Sequence, residues 1–304
     1  MSTALNIKKL SKVYTDGFKA LDRVSFDVQE GDFFSLLGPN GAGKTSLINI
    51  LTQLNRIDEG HIEVFGLDLR KEPVNIKRMI GLVPQEFNFN MFLTVQQILF
   101  YSAGYYGLSP KAQAPRINMI LKKLNLFEKR HVMARFLSGG MKRRLMIARA
   151  LIHQPKILLL DEPTAGVDVE TRQETWAFLK QLNQEGLTII LTTHYLEEAE
   201  RLCNQAAVLH LGQLRFSGSM NALLKTFNEE YIQFFFSKPM TKLDLPKYFK
   251  WLNESSACVT VTQRRTLQKV FSECEKRSIK VDRIDVLESR LERTLTGLSK
   301  GKKL

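Results

Sequence analysis

Short apolar runs alternate along the chain with longer stretches in which apolar residues recur at helical spacing, and Gly, Asp and Asn separate the two. That alternation predicts an α/β domain built on a largely buried sheet. Val24-Ser25-Phe26-Asp27-Val28 alternates with period two, Glu30-Gly31-Asp32 reads as a turn, and Phe33-Phe34-Ser35-Leu36-Leu37 as a buried strand. A helix is expected to start at Gly43-Lys44-Thr45. From 94 to 126 the pattern is helical, broken at Leu108-Ser109-Pro110, where Ser109 is placed to cap the next helix. Further on, 157–161 and 188–192 read as strands, and 170–185 and 195–202 as helices. The chain thus divides into a domain over 1–230, with a helical insertion at about 88–150, and a small α+β unit over 231–304. In that unit the spacing predicts a helix over 242–252, a strand over 258–262, a helix over 267–277 and a strand over 281–286.

Composition narrows the class. At 304 residues, 44% of them hydrophobic, the chain exceeds one average domain and can bury a full core. Its apolar runs, such as Ile157-Leu158-Leu159-Leu160 and Phe234-Phe235-Phe236, fall far short of the ~20 residues a membrane helix needs. With no leader pattern at its start, the protein is expected in the cytosol. Cys203, Cys258 and Cys274 are odd in number, widely spaced and in no metal-ligand pattern, so ordinary thiols are expected. The net charge of +13 raises nucleic acid, anionic lipid or a nucleotide as partners. It is concentrated in the tail: residues 237–304 hold 16 Lys+Arg against 8 Asp+Glu, a net +8, leaving +5 for the longer remainder.

The chemistry lies outside that tail. Gly38-Pro39-Asn40-Gly41-Ala42-Gly43-Lys44-Thr45 fits a phosphate-binding P-loop between a buried strand and a helix. Glycines let the backbone curl so that N–H groups and the positive end of a helix face phosphate, with Ser46 in the same helical turn. Lys44 is expected on the β- and γ-phosphates and Thr45 on Mg²⁺. At Ile157-Leu158-Leu159-Leu160-Asp161-Glu162 an apolar strand ends in two acids. Asp161 is placed to help hold Mg²⁺, and Glu162, turned to the other side by the strand period, to polarise the attacking water.

Leu137-Ser138-Gly139-Gly140-Met141 then heads a helical run into that acidic strand. Here the chain resembles the ABC ATPases, whose signature is Leu-Ser-Gly-Gly-Gln; Met141 replaces the Gln. A Ser hydroxyl, two glycines and a helix N-terminus form a second anion cradle, although Ser138 also reads as a simple helix cap. The resemblance implies a RecA-like core with a strand-rich N-terminal subdomain. It also implies ATP hydrolysis by a head-to-tail dimer, in which Ser138, Gly139 and Gly140 hold the ATP seated on the partner's P-loop. It assigns Gln85 to the Mg²⁺ and water region, His194 to the γ-phosphate, Asp168 to the dimer interface and Tyr14 to the adenine, Tyr14 also being able to pack against a sheet.

The resemblance further implies a separate membrane permease docked beside the insertion, on the cytoplasmic face. The segment 86–93, with Phe87, Phe89, Met91 and Phe92, offers such a surface or packs under the insertion. The arrangement is most similar to the ATPase subunits of ABC-2-type exporters, whose Leu-Glu motif is weakly matched at Leu291-Glu292. The rival reading is a soluble ABC ATPase acting on nucleic acid or the ribosome. Against it, the insertion is too short for the coiled coils of DNA-repair relatives, and there is one ATPase core where translation-factor relatives usually carry two. A non-catalytic regulator is the third reading, opposed by intact Lys44, Asp161, Glu162 and His194. Substrate, and homodimer against heterodimer, stay open.

Overall fold

The strand-rich beginning folds as an antiparallel sheet because its strands bury one face only. β1 (Thr3–Val13) and β2 (Lys19–Gln29) form a hairpin in which Val24, Phe26 and Val28 are buried and the residues between them exposed. The computed structural model describes residues 2–164, 166–193, 196–226, 230–241, 244–261 and 266–286. β3 (Phe33–Leu37) is buried at all five positions, as a strand covered on both faces must be. It leads into α1 (Lys44–Leu51). β4 (Glu59–Val64) and the short β5 (Leu67–Asp68) complete the first sheet, in the order β2-β1-β4-β5.

α2 (Pro73–Met79) and β6 (Ile80–Val83) bring the chain to the helical insertion. There α3 (Val95–Tyr105) starts at a reciprocal capping box between Thr94 and Gln97. α4 (Pro110–Lys123) starts at Ser109, whose side chain makes no capping bond. α5 (Gly139–Leu151) returns the chain to the core. The rest alternates: β7 (Ile157–Asp161), α6 (Val169–Gln184), β8 (Thr188–Thr192), α7 (Leu196–Leu202), β9 (Gln205–His210), β10 (Gln213–Ser219) and α8 (Met220–Thr226).

The second sheet has the order β10-β9-β3-β8-β7-β6, parallel except for β10. Leu47 and Ile50 of α1 pack in one core with Leu21, Val24 and Phe26 of the first sheet and Leu36, Leu159 and Ile190 of the second. Phe26 and Phe34 stack at 5.4 Å. Each such buried side chain contributes about 1.5–3 kcal/mol of transfer free energy, so α1 is held firmly against both sheets. No described helix is long and apolar enough to cross a membrane.

The chain divides into two compact units, 1–220 and 221–304, whereas the expected boundary after 230 falls at the start of β11 (Glu230–Phe236). The second unit also contains β12 (Phe249–Asn253), β13 (Ser256–Val261), α9 (Leu267–Lys276) and β14 (Val281–Val286), with sheet order β12-β13-β11-β14. The helix expected over 242–252 is not formed among its described residues. Asp244 accepts from the Thr241 N–H and hydroxyl, Pro246 keeps the residue before it out of helical geometry, and Phe249 then pairs with Val259 as a strand. Phe234, Phe249, Val259 and Val270 are the centre of this unit's own core. All three cysteines are free and buried.

Candidate active site

Parallel strands end at one edge, and here four of them deliver the chemistry together. In sheet order, β3 ends in the glycine loop, β8 in Thr193, β7 in Asp161 and Glu162, and β6 in Gln85. His194 and Tyr195, after β8, lie outside the described residues, as does the stretch 291–295.

The loop requires glycine at two places. A Cβ on Gly38 (φ +150) would come 2.3 Å from the Leu209 carbonyl oxygen, and one on Gly43 (φ +106) 2.5 Å from that of Ala20. Gly41 (φ +77) has nothing near its Cβ direction, so it supplies conformation only. The loop also carries Pro39, Asn40 and the buried Ala42. Gly43 caps α1 without a side chain, which leaves the first-turn N–H groups facing the loop as an anion cradle. Lys44 bends back over it, its Nζ donating to the carbonyls of Gly38 (2.7 Å) and Pro39 (3.0 Å). Burial lowers the Lys44 pKa, while Glu162 and Asp161 oppose that shift and favour the charged form.

Glu162 has φ +49, a backbone state that a non-glycine residue rarely adopts, and its N–H is held by the Thr192 carbonyl at 3.0 Å. Gln85 Nε2 donates to Glu162 Oε2 at 2.9 Å, which joins the Gln85 loop directly to the acid expected to act on water. Asp161 accepts from the Thr192 hydroxyl. Thr45 is exposed one residue into α1. Thr45, Gln85 and Asp161 offer a hydroxyl, an amide and a carboxylate oxygen, a donor set that fits Mg²⁺ alongside phosphate oxygens.

Tyr14 lies in the β1–β2 hairpin with its hydroxyl 3.0 Å from Ser46 Oγ, and it accepts from Asn55 Nδ2 at 3.0 Å. Its ring is thereby fixed beside the first turn of α1, and the Ser46 side chain is engaged there. The segment expected to form a second cradle is assembled separately. Ser138 caps α5, accepting from the Met141 N–H at 3.2 Å, and Asp168 caps α6, accepting from Thr171 N (2.9 Å) and Oγ1 (2.8 Å). Those Thr171 bonds hold the Asp168 carboxyl below the usual carboxylate range. A Cβ on Gly140 would meet Thr171 Cγ2 at 2.5 Å, whereas Gly139 has open space. Gly140 therefore lets the starts of α5 and α6 abut.

The sequence reading missed Thr192, Asn55, Thr171 and Arg143. Arg143, 3% exposed, donates to the carbonyls of Pro84 (3.0 Å) and Gln85 (2.9 Å). Helical spacing groups it with the buried Met146, Ile147 and Ala150, a signal present in the sequence.

Residues 21–165 match the ABC transporter family. The chain is 39% identical over 227 residues to a Nod factor export ATP-binding protein I of Burkholderia thailandensis, covering 74% of each chain. It is 37% identical over 220 residues to the linearmycin resistance ATP-binding protein LnrL of Bacillus subtilis, covering 72% of this chain and 70% of that one. Among solved structures it is similar to the ATP-binding subunit of an ABC transporter, with TM-score 0.67 and 29% identity over 74% of this chain and 93% of the other. It is also similar to cbiO1 of Clostridium perfringens, part of an ABC transporter complex, with TM-score 0.67 and 27% identity over 75% of this chain and 95% of the other. With the glycine loop, the paired acids and the Ser138-Gly139-Gly140 start of α5 on that shared fold, the chain belongs to the ABC transporter ATP-binding proteins, the ATP-hydrolysing subunits of these systems.

Proposed function

We propose that this chain is the motor of an exporter: two copies close head to tail around two ATP molecules and drive a separate permease from the cytoplasmic face of the membrane. The observation that carries the reading is the convergence of Lys44, Asp161, Glu162 and Gln85 on one sheet edge, with Glu162 bonded to Gln85. In this reading Tyr14 stacks on adenine. Gly38 to Ser46 cradle the phosphates with the α1 N-terminus, and Lys44 turns from its loop carbonyls to the β- and γ-phosphates. Thr45, Gln85 and Asp161 hold Mg²⁺, which when bound neutralises charge on the transferring group. Glu162 draws on a water proton as the water attacks the γ-phosphorus and the bond to the β-bridging oxygen breaks, releasing ADP and phosphate. His194 contacts the γ-phosphate, and Ser138, Gly139 and Gly140 reach it from the second copy, with Asp168 at the interface.

Export is supported by the relatives, whose names include Nod factor export. Docking of the permease on 86–93 is supported by Phe87 (38% exposed) and Phe92 (68% exposed) beside the insertion. No nucleic-acid partner is part of this reading.

Mixing two mutants tests the shared site. Lys44→Ala or Ser138→Arg alone should damage both sites of a homodimer. A mixed dimer regenerates one whole site, from Lys44 of one chain and Ser138 of the other. High-affinity ATP capture at half stoichiometry, absent from both parents, is the expected result. Mixed dimers that co-purify through two tags yet capture no more ATP than the parents would return Ser138 to a helix cap.

A further inference from the structure

Arg143, two residues after Met141 in the second turn of α5, is a buried cation whose surroundings are unusual for a charge. Instead of a carboxylate, its fork takes two main-chain carbonyls, Nη1 bonding Pro84 O at 3.0 Å and Nη2 bonding Gln85 O at 2.9 Å. Its guanidinium lies over the Phe87 ring, 5.3 Å from the centroid. Burial lowers its pKa, while Asp161, Glu162 and Glu198 favour the charged form. Removing a guanidinium from water to bond a loop is costly, so the loop's position is what the arrangement secures.

Those two carbonyls flank Gln85 on either side. Holding both fixes the backbone of that residue, and so the direction of the side chain that donates to Glu162 at 2.9 Å. Six residues further along α5, Arg149 holds the same segment again, through the Asn88 carbonyl at 3.0 Å and the Asn88 side chain. α5 itself begins at Ser138 and Gly139. The helix that presents the second phosphate cradle is therefore bolted at two points to the loop that aims Gln85 at Glu162.

We propose that Arg143 is a positioning residue for hydrolysis: it sets Gln85 against Glu162 and so links the N-terminus of α5 to the catalytic carboxylate. Phosphate bound at Ser138 and catalysis at the same subunit's Glu162 are then coupled through one guanidinium. The proposal rests on the reading that Gln85 acts at the water.

The test is a double-mutant cycle on the full chain, because spatial proximity alone does not demonstrate coupling. Arg143→Lys keeps the charge and loses the fork; it should lower kcat about 10- to 100-fold, the range for outer positioning groups, with KM for ATP little changed. Arg143→Gln, which keeps an amide donor for one carbonyl, should also lower kcat and leave KM in place. In a Gln85→Ala background, Arg143→Lys should cost nothing more, because the side chain it positions is gone. Losses that multiply in the double mutant, or that follow the fall in melting temperature, would overturn the coupling and leave Gln85's role standing. Wild-type turnover by Gln85→Ala alone would overturn the reading beneath it as well.

Discussion

Helices α1 and α5 both turn an N-terminus toward phosphate in the proposed dimer, yet the chain finishes the two ends differently. α1 follows Gly43, which offers no side-chain acceptor and is walled in by the Ala20 carbonyl and Leu21 Cδ2. α5 follows Ser138, whose hydroxyl already accepts from its own first turn, and Gly139 faces open space. An uncapped turn keeps its donors ready before any second subunit arrives. A capped one must exchange an internal bond for an external one, which suits a surface that meets its ligand only on closure. The enclosed end is thus shaped for binding and the open end for approach.

The largest expected effect separates chemistry from both ends. Glu162→Gln leaves α1 and α5 untouched but loses the proposed base, so phosphate release should slow by about 10²- to 10⁴-fold, with nucleotide retention on filters unchanged. Near wild-type turnover would take Glu162 out of its role.

Next is the contrast between glycines. In Gly43→Ala the new methyl meets Ala20 at a positive φ, and overpacking of this kind costs about 1–3 kcal/mol, so ATP affinity and melting temperature should both fall. Gly139→Ala has room and gains helix propensity of up to about 1 kcal/mol; calorimetry should find it no less stable. An equal loss in both variants would erase the distinction between enclosed and open ends.

The smallest change in stability is the most discriminating. Asp caps a helix as well as Ser, and its charge suits an N-terminus, so Ser138→Asp should melt within about 0.5 kcal/mol of wild type, whereas Ser138→Ala loses about 1 kcal/mol. A carboxylate aimed at phosphate should still weaken ATP-driven dimerisation about tenfold, equivalent to 1.4 kcal/mol. Wild-type dimerisation by Ser138→Asp in analytical ultracentrifugation would make that hydroxyl a cap and nothing more.

The buried strands were the most legible part of the chain. β3, β7 and β8 are short, mostly apolar runs that stop at a glycine loop, two acids and a Thr pair, so their ends announce both the sheet and the candidate site. β12 was not legible, because five residues with one buried position do not distinguish period 2 from 3.6; the Thr241–Asp244 turn and Pro246 were the better signals. β11 was missed in the same unit: Phe234-Phe235-Phe236 registers as an apolar run and not as a strand with alternating burial. Motif order singled out Lys44, Asp161 and Glu162 as candidates, but it says nothing of Arg143 or Thr192. Their importance comes from pairings across 58 and 31 positions of sequence, one between α5 and the loop after β6 and one between neighbouring strands, which only the fold brings together.

The left-handed backbone of Glu162 has a consequence for how this protein can change. A Glu at φ +49 is held there by its neighbours against its own preference, at a cost of order 1–3 kcal/mol for such conformations. Asn or Gly relaxes into that geometry more easily than Glu does. If Glu162 is the base proposed above, selection for heat resistance alone would favour discarding it, and a laboratory screen for sturdier variants would drift toward inert ones unless it also demanded work.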